Sequence, residues 1–150
     1  MSRPVHRCDL LVIGGGCAGM SLCDRLLRDE EEGRRIERDV LLVESRNSYA
    51  DDQVWSYWRP AAAPRGPGSV RNWSSWAFSS GAREHAHDSE IYVYETVSAK
   101  RFFEAIDARI RKSVSVAKWR GVQVAQVREE RGLYKVDTTA GMVEAGFVVD

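Results

Sequence analysis

The sequence predicts a mixed α/β protein built on a parallel sheet, because two uniformly apolar runs flank one amphipathic segment. The apolar runs are residues 10–13 and 40–43, and such runs are typical of strands buried on both faces of a parallel sheet. Between them, residues 20–28 carry apolar side chains at helical spacing. Three later alternating segments predict a meander that rejoins the sheet.

The first strand leads directly into a glycine-rich turn. Gly14 can adopt the tight turn, Gly16 leaves the backbone bare for the approach of a diphosphate, and Gly19 lets the following helix pack closely on its strand. The N–H groups near Cys17 and Ala18 would then face phosphate oxygens at the positive end of the helix dipole. The segment therefore predicts a dinucleotide-binding turn, although an ordinary strand–helix–strand unit without a ligand remains an alternative.

Glu44 ends the second apolar run, and the charged residues 29–35 end the helix before it. A carboxylate at that strand end can accept hydrogen bonds from both hydroxyls of an adenosine ribose and would repel a 2′-phosphate. This favours FAD or NAD over NADP. Arg46 could instead bind a 2′-phosphate, so that alternative stays open.

Composition and charge exclude several classes of function. The 22 basic and 22 acidic side chains give a net charge of zero, so charge provides no reason to expect a nucleic acid partner. Cys8, Cys17 and Cys23 form no C-x-x-C pair, which argues against disulfides and zinc and favours a reducing, cytoplasmic compartment. Residues 1–9 lack the apolar core of a signal peptide, and no apolar run is long enough to span a membrane.

The middle of the chain predicts a departure from a regular βα repeat. Residues 45–71 are polar and rich in Pro and Gly, yet they include three aromatic residues within 54–58. Alternation predicts strands near 73–79 and 90–96, with a polar loop over 79–89 between them.

The last third predicts one helix and three strands. Thr96 or Ser98 caps a helix over 99–111, and strands follow over 121–127, 133–138 and 143–149. Residues 146–150 have the pattern of a buried strand without a following turn, so we expect the chain to be the amino-terminal part of a longer protein. The predicted divisions are 1–50 for the dinucleotide-binding unit, 51–97 for an aromatic-rich excursion, and 98–150 for the return.

Several other residues have two interpretations. His85, His87 and Asp88 carry metal-binding groups, but without further ligands at suitable spacing a solvated loop is favoured and no metal is expected. Glu104 and Asp107 are expected to pair with Arg111 and neighbouring arginines at helical spacing. No nucleophilic triad can be assembled, because Cys17 would contribute its backbone to a phosphate.

Three segments resemble the bacterial lycopene cyclases. They are residues 9–19, residues 51–58, which follow a family pattern Asn-Asp-x-Thr-Trp-x-Phe-Trp except at Asp51 and Val54, and residues 92–98 followed by Arg101, Phe102 and Phe103. The first segment is shared by many flavoproteins, whereas the second is far more specific. The resemblance covers nearly the whole chain.

The resemblance implies a Rossmann-like FAD-binding fold of the glutathione-reductase type, with the beginning of an inserted β-rich substrate domain. It implies FAD, reduced by NAD(P)H, held by the glycine turn, Glu44, Arg46 and Arg101. It further implies that the enzyme protonates lycopene and closes β-ionone rings without net oxidation. Trp55 and Trp58 could line the substrate site, although aromatic residues of this kind are more often part of a sheet core.

No catalytic residue is assigned, because the family's acid is expected beyond Asp150. A C40 hydrocarbon is insoluble, so peripheral membrane contact is expected of the complete enzyme. Two alternatives remain: a flavin monooxygenase or prenyl reductase on the same sheet, and a dinucleotide-binding piece that is inactive by itself.

Overall fold

The computed structural model describes residues 5–34 and 38–150. It confirms a mixed α/β protein with a parallel sheet. In chain order the elements are β1 (Val5–Ile13), α1 (Cys17–Glu31), β2 (Val40–Glu44), β3 (Val54–Pro60), β4 (Ser69–Trp73), β5 (Ser75–Ser80), β6 (Arg83–Asp88), β7 (Tyr92–Ser98), α2 (Ala99–Ile110), β8 (Val116–Arg120), β9 (Val124–Glu130), β10 (Leu133–Thr138) and β11 (Gly141–Val149).

The chain divides into two units, and the first comprises Met1–Ser48 and Ile106–Asp150. Its six-stranded sheet has the order β8-β2-β1-β11-β10-β9. The strands β8, β2, β1 and β11 are mutually parallel, while β9, β10 and β11 form the expected antiparallel meander. Arg131 and Gly132 both have positive φ in the two-residue turn between β9 and β10, the turn type that suits the twist of a hairpin.

The core of this unit forms because β2 pairs on both sides and is buried along its whole length. Leu11, Leu41, Val136 and Val143 are fully buried and belong to one cluster. The helix α1 contributes a buried stripe, as its apolar periodicity predicted. The members of that stripe that are fully or almost fully buried are Met20, Cys23 and Leu27.

The second unit, Tyr49–Ala105, contains a three-stranded sheet in the order β3-β7-β4 and a separate hairpin of β5 and β6. Arg59 and Glu95 lie on adjacent strands and form a buried ion pair. The Arg59 guanidinium also donates to the carbonyl oxygens of Pro60 and Ala63. This buried cation therefore fixes the start of the β3–β4 connection against the sheet, where an unpaired charge would be costly.

Two predictions about the middle of the chain were wrong, and one strand after α2 was not predicted. The expected loop over 79–89 contains β6, which follows a tight turn at Gly81, where φ is 60°. The strand was missed because all six of its residues are exposed and show no alternation of apolar and polar side chains. The expected single strand over 73–79 is two strands that break at Ser74. The strand β8 was not predicted, because Lys118 and Arg120 interrupt its apolar character.

The prediction for the helix α2 was accurate, whereas the prediction for residues 146–150 was only partly so. The helix was predicted within one residue, and Ser98 rather than Thr96 caps it, since the Arg101 N–H donates to Ser98 Oγ at 3.3 Å. Residues 146–149 belong to a strand, as the prediction for 146–150 stated, but the burial predicted for that strand was wrong. Phe147 is 58% exposed, because β10 pairs with β11 only as far as Ala145.

Some predictions extend beyond the described residues. Arg35, at the end of the charged run, lies outside them, as do residues 1–4 of the amino-terminal segment 1–9. Within the described residues, neither helix combines the length and apolar character that crossing a bilayer requires.

Candidate functional site

The turn after β1 has the tight geometry that its glycines predicted. Gly14 has φ of 92°, and its N–H donates to the Val43 carbonyl at 2.8 Å, so the turn is tied to the end of β2. A Cβ on Gly19 would overlap the carbonyl oxygen of Gly14 and lie 3.2 Å from a methyl of Val12. Only glycine therefore allows the first turn of α1 to lie against β1.

The start of α1 presents unpaired backbone donors to open space. Gly16 is the N-cap without a side-chain hydrogen bond, and the first helical bond runs from the Met20 N–H to the Gly16 carbonyl at 3.0 Å. The N–H groups of Cys17 and Ala18 therefore precede the helical ladder. A Cβ on Gly16 would meet no atom within 4 Å. The helix end thus offers an accessible positive dipole end to an anion.

Glu44 lies at the carboxyl end of β2 and is held there by Arg46. Glu44 Oε1 accepts the Arg46 backbone N–H at 2.7 Å, and Oε2 accepts Arg46 Nη2 at 2.8 Å. The same guanidinium donates to the Gly15 carbonyl at 3.2 Å. Burial alone would raise the pKa of Glu44, but the hydrogen bonds and charge of Arg46 outweigh it and lower that pKa to about 2. Glu44 is therefore an anion whenever the protein is folded near neutral pH.

A cavity of about 350 Å³ adjoins these groups, and its lining includes a segment that sequence reasoning missed. Ile13, Gly14, Val43 and Ser45 line one part, and residues 122–124 line the other. The Val122 N–H donates to the Glu44 carbonyl at 3.1 Å. Gly121 makes this approach possible, because a Cβ there would overlap the side-chain oxygen of Asn47. Gly121 was the feature of the sequence that could have indicated this segment. Because β8 was not predicted, Gly121 could not be recognised as lying at the end of a strand.

Asp107 does not pair along its own helix, so that expectation was wrong. Its carboxylate is buried and contacts Lys118 Nζ at 2.8 Å and the Arg120 guanidinium, both on β8. Residues i and i+4 on one helix do lie close together, but the adjacent strand brings two cations to the buried side of Asp107. This cluster joins α2 to β8, and Lys118 Nζ also contacts Met20 Sδ of α1 at 3.5 Å.

The two tryptophans considered for a substrate site lie on opposite faces of the small sheet. In β3, Trp55 opposes Val97 and Trp58 opposes Tyr94, and an odd spacing in a strand reverses the face. Trp55 packs edge-to-face on Phe102 and Phe103, each at 5.4 Å between ring centroids. Trp58 is 47% exposed and contacts Trp76 and Tyr94. The structure therefore does not bring Trp55 and Trp58 to one surface.

The remaining candidates belong to the second unit. Arg101 is exposed near the start of α2. His85 and His87 share one face of β6 and Asp88 lies on the other, since their positions alternate. In the part of the chain that the structure describes, no three His, Cys, Asp or Glu residues are grouped to hold a metal ion.

The arrangement fits a dinucleotide. The helix start can bind a diphosphate through backbone N–H groups, and Glu44 can accept hydrogen bonds from ribose hydroxyls. The adjoining cavity combines apolar side chains with the polar Ser45 and Gln123, a mixed lining that suits a flat ring with polar edges. The open space over Gly16 and the absence of a side chain there would allow a diphosphate to approach the backbone.

Comparisons with known proteins agree with this geometry. The family model described as lycopene cyclase protein matches residues 9–150. No curated protein sequence matches the chain.

Solved structures share the fold at low sequence identity. The p-nitrophenol 4-monooxygenase PnpA from Pseudomonas putida is 15% identical with a TM-score of 0.68, over 99% of this chain and 40% of that chain. PqsL, a probable FAD-dependent monooxygenase from Pseudomonas aeruginosa, is 15% identical with a TM-score of 0.68, over 95% of this chain and 42% of that one. A geranylgeranyl bacteriochlorophyll reductase-like protein from Thermoplasma acidophilum is 14% identical with a TM-score of 0.61, over 95% and 38%. The chain thus spans less than half the length of these three structures.

Proposed function

This chain belongs to the lycopene cyclase family, and on that premise we propose that it is the FAD-binding part of an enzyme that closes β-ionone rings on lycopene. The observation that carries the proposal is the family match over residues 9–150, which includes the glycine turn and Glu44. The fold would be a Rossmann-like FAD-binding fold of the glutathione-reductase type, in which residues 51–97 begin the substrate domain and residues 98–150 return to the sheet.

The residues proposed to hold FAD act in three groups. The N–H groups of Cys17 and Ala18, between Gly16 and Gly19, bind the diphosphate, and Gly14 shapes the turn that presents them. Glu44 accepts the ribose hydroxyls, and Arg46 keeps its carboxylate ionised and oriented. Arg101 is proposed as a further contact to the cofactor from α2. FAD, once reduced by hydride from NAD(P)H, would contribute fixed negative charge close to a cationic reaction centre.

The proposed reaction is an isomerisation. A proton adds to the terminal double bond of the linear polyene, the resulting tertiary cation is attacked by a neighbouring double bond, and loss of a proton from the ring restores an alkene. One proton enters and one leaves, so no net oxidation occurs. The cation must be protected from water and stabilised by charge or by aromatic faces. Of the two proposed tryptophans, Trp58 has the accessible ring, whereas Trp55 supports the sheet.

Membrane contact follows from the substrate. A C40 hydrocarbon has negligible solubility in water, so we propose that the complete enzyme takes it from the lipid phase by peripheral contact. The acid that donates the first proton is not among the groups assigned to this chain.

The test uses the complete protein with lycopene dispersed in detergent, in parallel reactions without oxygen and in air. We expect purified protein to retain a yellow flavin, and reduced flavin to support a cyclic product whose mass equals that of lycopene. A prenyl reductase would raise the product mass by two hydrogens for each double bond, and a monooxygenase would require oxygen and add it to the product. Either of these products, or a colourless protein that cannot be loaded with flavin, would refute the proposal.

The inactive-piece alternative has its own readout. If the 150-residue chain produced alone retains flavin but shows no turnover, while the complete protein cyclises lycopene, the chain is the binding part of the enzyme. If neither protein turns lycopene over, the cyclase proposal fails even where flavin is retained.

A further inference from the structure

The hairpin of β5 and β6 has two chemically different faces. Residues directly opposite each other in an antiparallel pair share a face, and the pairs here are Trp76 with His87, Phe78 with His85, and Ser80 with Arg83. We call the surface formed by Trp76, Phe78, Arg83, His85 and His87 the hairpin face. It combines aromatic rings with basic side chains and carries no carboxylate from either strand.

The opposite face has the reverse character. It consists of small side chains and two carboxylates, from Ser75, Ala77, Ser79, Glu84, Ala86 and Asp88. The two faces of the hairpin therefore differ, with Arg83, the histidines and the aromatic rings on one face and the carboxylates on the other.

Four of the five residues of the hairpin face are exposed, and Trp76 is half-buried. Phe78 is 64% exposed, and every residue of β6 is exposed. A two-stranded hairpin is only marginally stable in water by itself, and an exposed Phe next to Trp is the kind of surface that proteins normally cover. Among the described residues, the ring contacts of this face run inward, from His87 to Trp76 at 5.0 Å and from Trp76 to Trp58 at 4.3 Å.

The charge and aromatic content identify the partner. Trp and Phe rings are stable at the boundary between headgroups and acyl chains, and arginines beside them are attracted to anionic headgroups. The aromatic contacts continue from Trp58 to Tyr94 at 4.8 Å and from Tyr94 to Trp73 at 6.3 Å, where the Arg71 guanidinium lies over the ring. The positive and aromatic surface thus extends onto the exposed face of the β3-β7-β4 sheet.

We infer that the hairpin face docks on an anionic lipid surface, with Phe78 inserted among the acyl chains and Arg83 at the headgroups. This inference rests on the proposed function, since it assigns the proposed membrane contact to particular residues. It also places Trp58, the proposed substrate-contacting residue, next to the docked surface through Trp76. A hydrocarbon leaving the bilayer would then meet aromatic rings before it meets water.

The experiment measures binding of the complete, flavin-loaded protein to extruded vesicles by flotation. One set of vesicles is pure phosphatidylcholine, and the other contains equal parts of phosphatidylcholine and phosphatidylglycerol. Two pairs of variants are compared. Arg83→Gln on the hairpin face and Ser79→Glu on the opposite face each lower the net charge by one, and Phe78→Ser is matched by Ala77→Ser.

We expect Arg83→Gln to weaken binding to the anionic vesicles about fivefold, the effect of one basic residue near an anionic surface. Phe78→Ser should weaken it about tenfold, because a partly inserted aromatic ring is lost. The control variants Ser79→Glu and Ala77→Ser should bind the anionic vesicles nearly as well as the wild-type protein does. Flavin absorbance and the thermal unfolding midpoint of each variant confirm that folding is intact.

Three outcomes overturn the inference. One is equal loss of binding in the matched variants, which would indicate only a general charge effect. Another is vesicle binding that none of the four variants changes. The third is unchanged vesicle binding combined with slower turnover of detergent-dispersed lycopene by Phe78→Ser, which would make the hairpin face a substrate wall. If flavin is retained and a cyclic product still forms in these cases, the proposed function stands. If the hairpin-face variants alone weaken vesicle binding but lycopene is not cyclised, the docking surface is supported and the proposed cyclase function is refuted.

Discussion

Arg46 and Glu44 form a two-point contact at the end of β2, with one hydrogen bond from the backbone N–H and others from the guanidinium to the same carboxylate. The carboxylate is almost fully buried, while the Arg46 side chain is 47% exposed. The pair keeps an anion at the position proposed for the ribose, even though burial alone would favour its protonation.

The first prediction concerns stability at acid pH. The pKa of Glu44 falls from 4.5 to about 2 on folding, so its contribution to stability is complete above pH 4.5 and is lost as the pH falls towards 2. With allowance for solvent around Arg46, that contribution is about 2 kcal/mol. Urea unfolding of the unchanged protein and of Glu44→Gln across this range should show a shallower pH dependence for the variant. Identical slopes would contradict the assignment.

The second prediction separates two glycines of the same turn. Gly16→Ala adds a methyl to open space at an ordinary φ of −76°, so the unfolding midpoint should stay nearly unchanged while flavin is lost. Gly19→Ala forces a Cβ into the Gly14 carbonyl and should destabilise the fold by about 2 kcal/mol as well as lose flavin. Flavin absorbance and thermal unfolding measure the two effects. If Gly16→Ala retains flavin at full occupancy, the diphosphate is not bound there.

The third prediction uses the three cysteines as probes. Cys17 is exposed at the start of α1. Burial first, and then the charges of Asp9 and Asp39, raise the pKa of Cys8 to about 11. Burial raises that of Cys23 to about 11 as well, against the opposing charge of Lys118. At mildly alkaline pH, iodoacetamide should therefore label Cys17 alone, as read by peptide mass spectrometry.

Bound FAD should slow the labelling of Cys17, because a diphosphate at the helix start would cover its thiol. The matched control is the same reaction after urea unfolding, where all three cysteines should react alike. Equal labelling of Cys17 with and without FAD would place the cofactor elsewhere.

The fourth prediction concerns the buried cluster that joins α2 to β8. Asp107→Asn removes the carboxylate from Lys118, whose side chain is only 5% exposed, so the free energy of unfolding should fall by about 3 kcal/mol. The control Glu104→Gln alters an exposed carboxylate on the same helix and should change it by less than about 0.5 kcal/mol. The double variant Asp107→Leu with Lys118→Met should recover most of the loss. A small effect of Asp107→Asn would show that the cluster is solvated.

Local patterns determined the strand–glycine turn–helix–strand unit from the sequence. The apolar runs, the spacing of Gly14, Gly16 and Gly19, and the carboxylate after the second run depend on contacts within a short stretch, so elementary rules predict them. The family resemblance has the same origin, since it rests on contiguous residues that the family model also matches. The polar strands were not predicted, because β6 is exposed on both faces and β8 carries Lys118 and Arg120 at the sheet edge.

Long-range pairing decided what no short window contains. Asp107 pairs with Lys118 and Arg120 of β8 rather than with residues of its own helix. Residues 122–124 line the cavity because parallel strands end at the same edge of the sheet. The alternation of one strand placed Trp55 and Trp58 on opposite faces, a consequence of register that composition cannot show. The sequence by itself determined which groups could bind a cofactor, and tertiary structure decided which of them share a surface, because side-chain proximity depends on strand order and face.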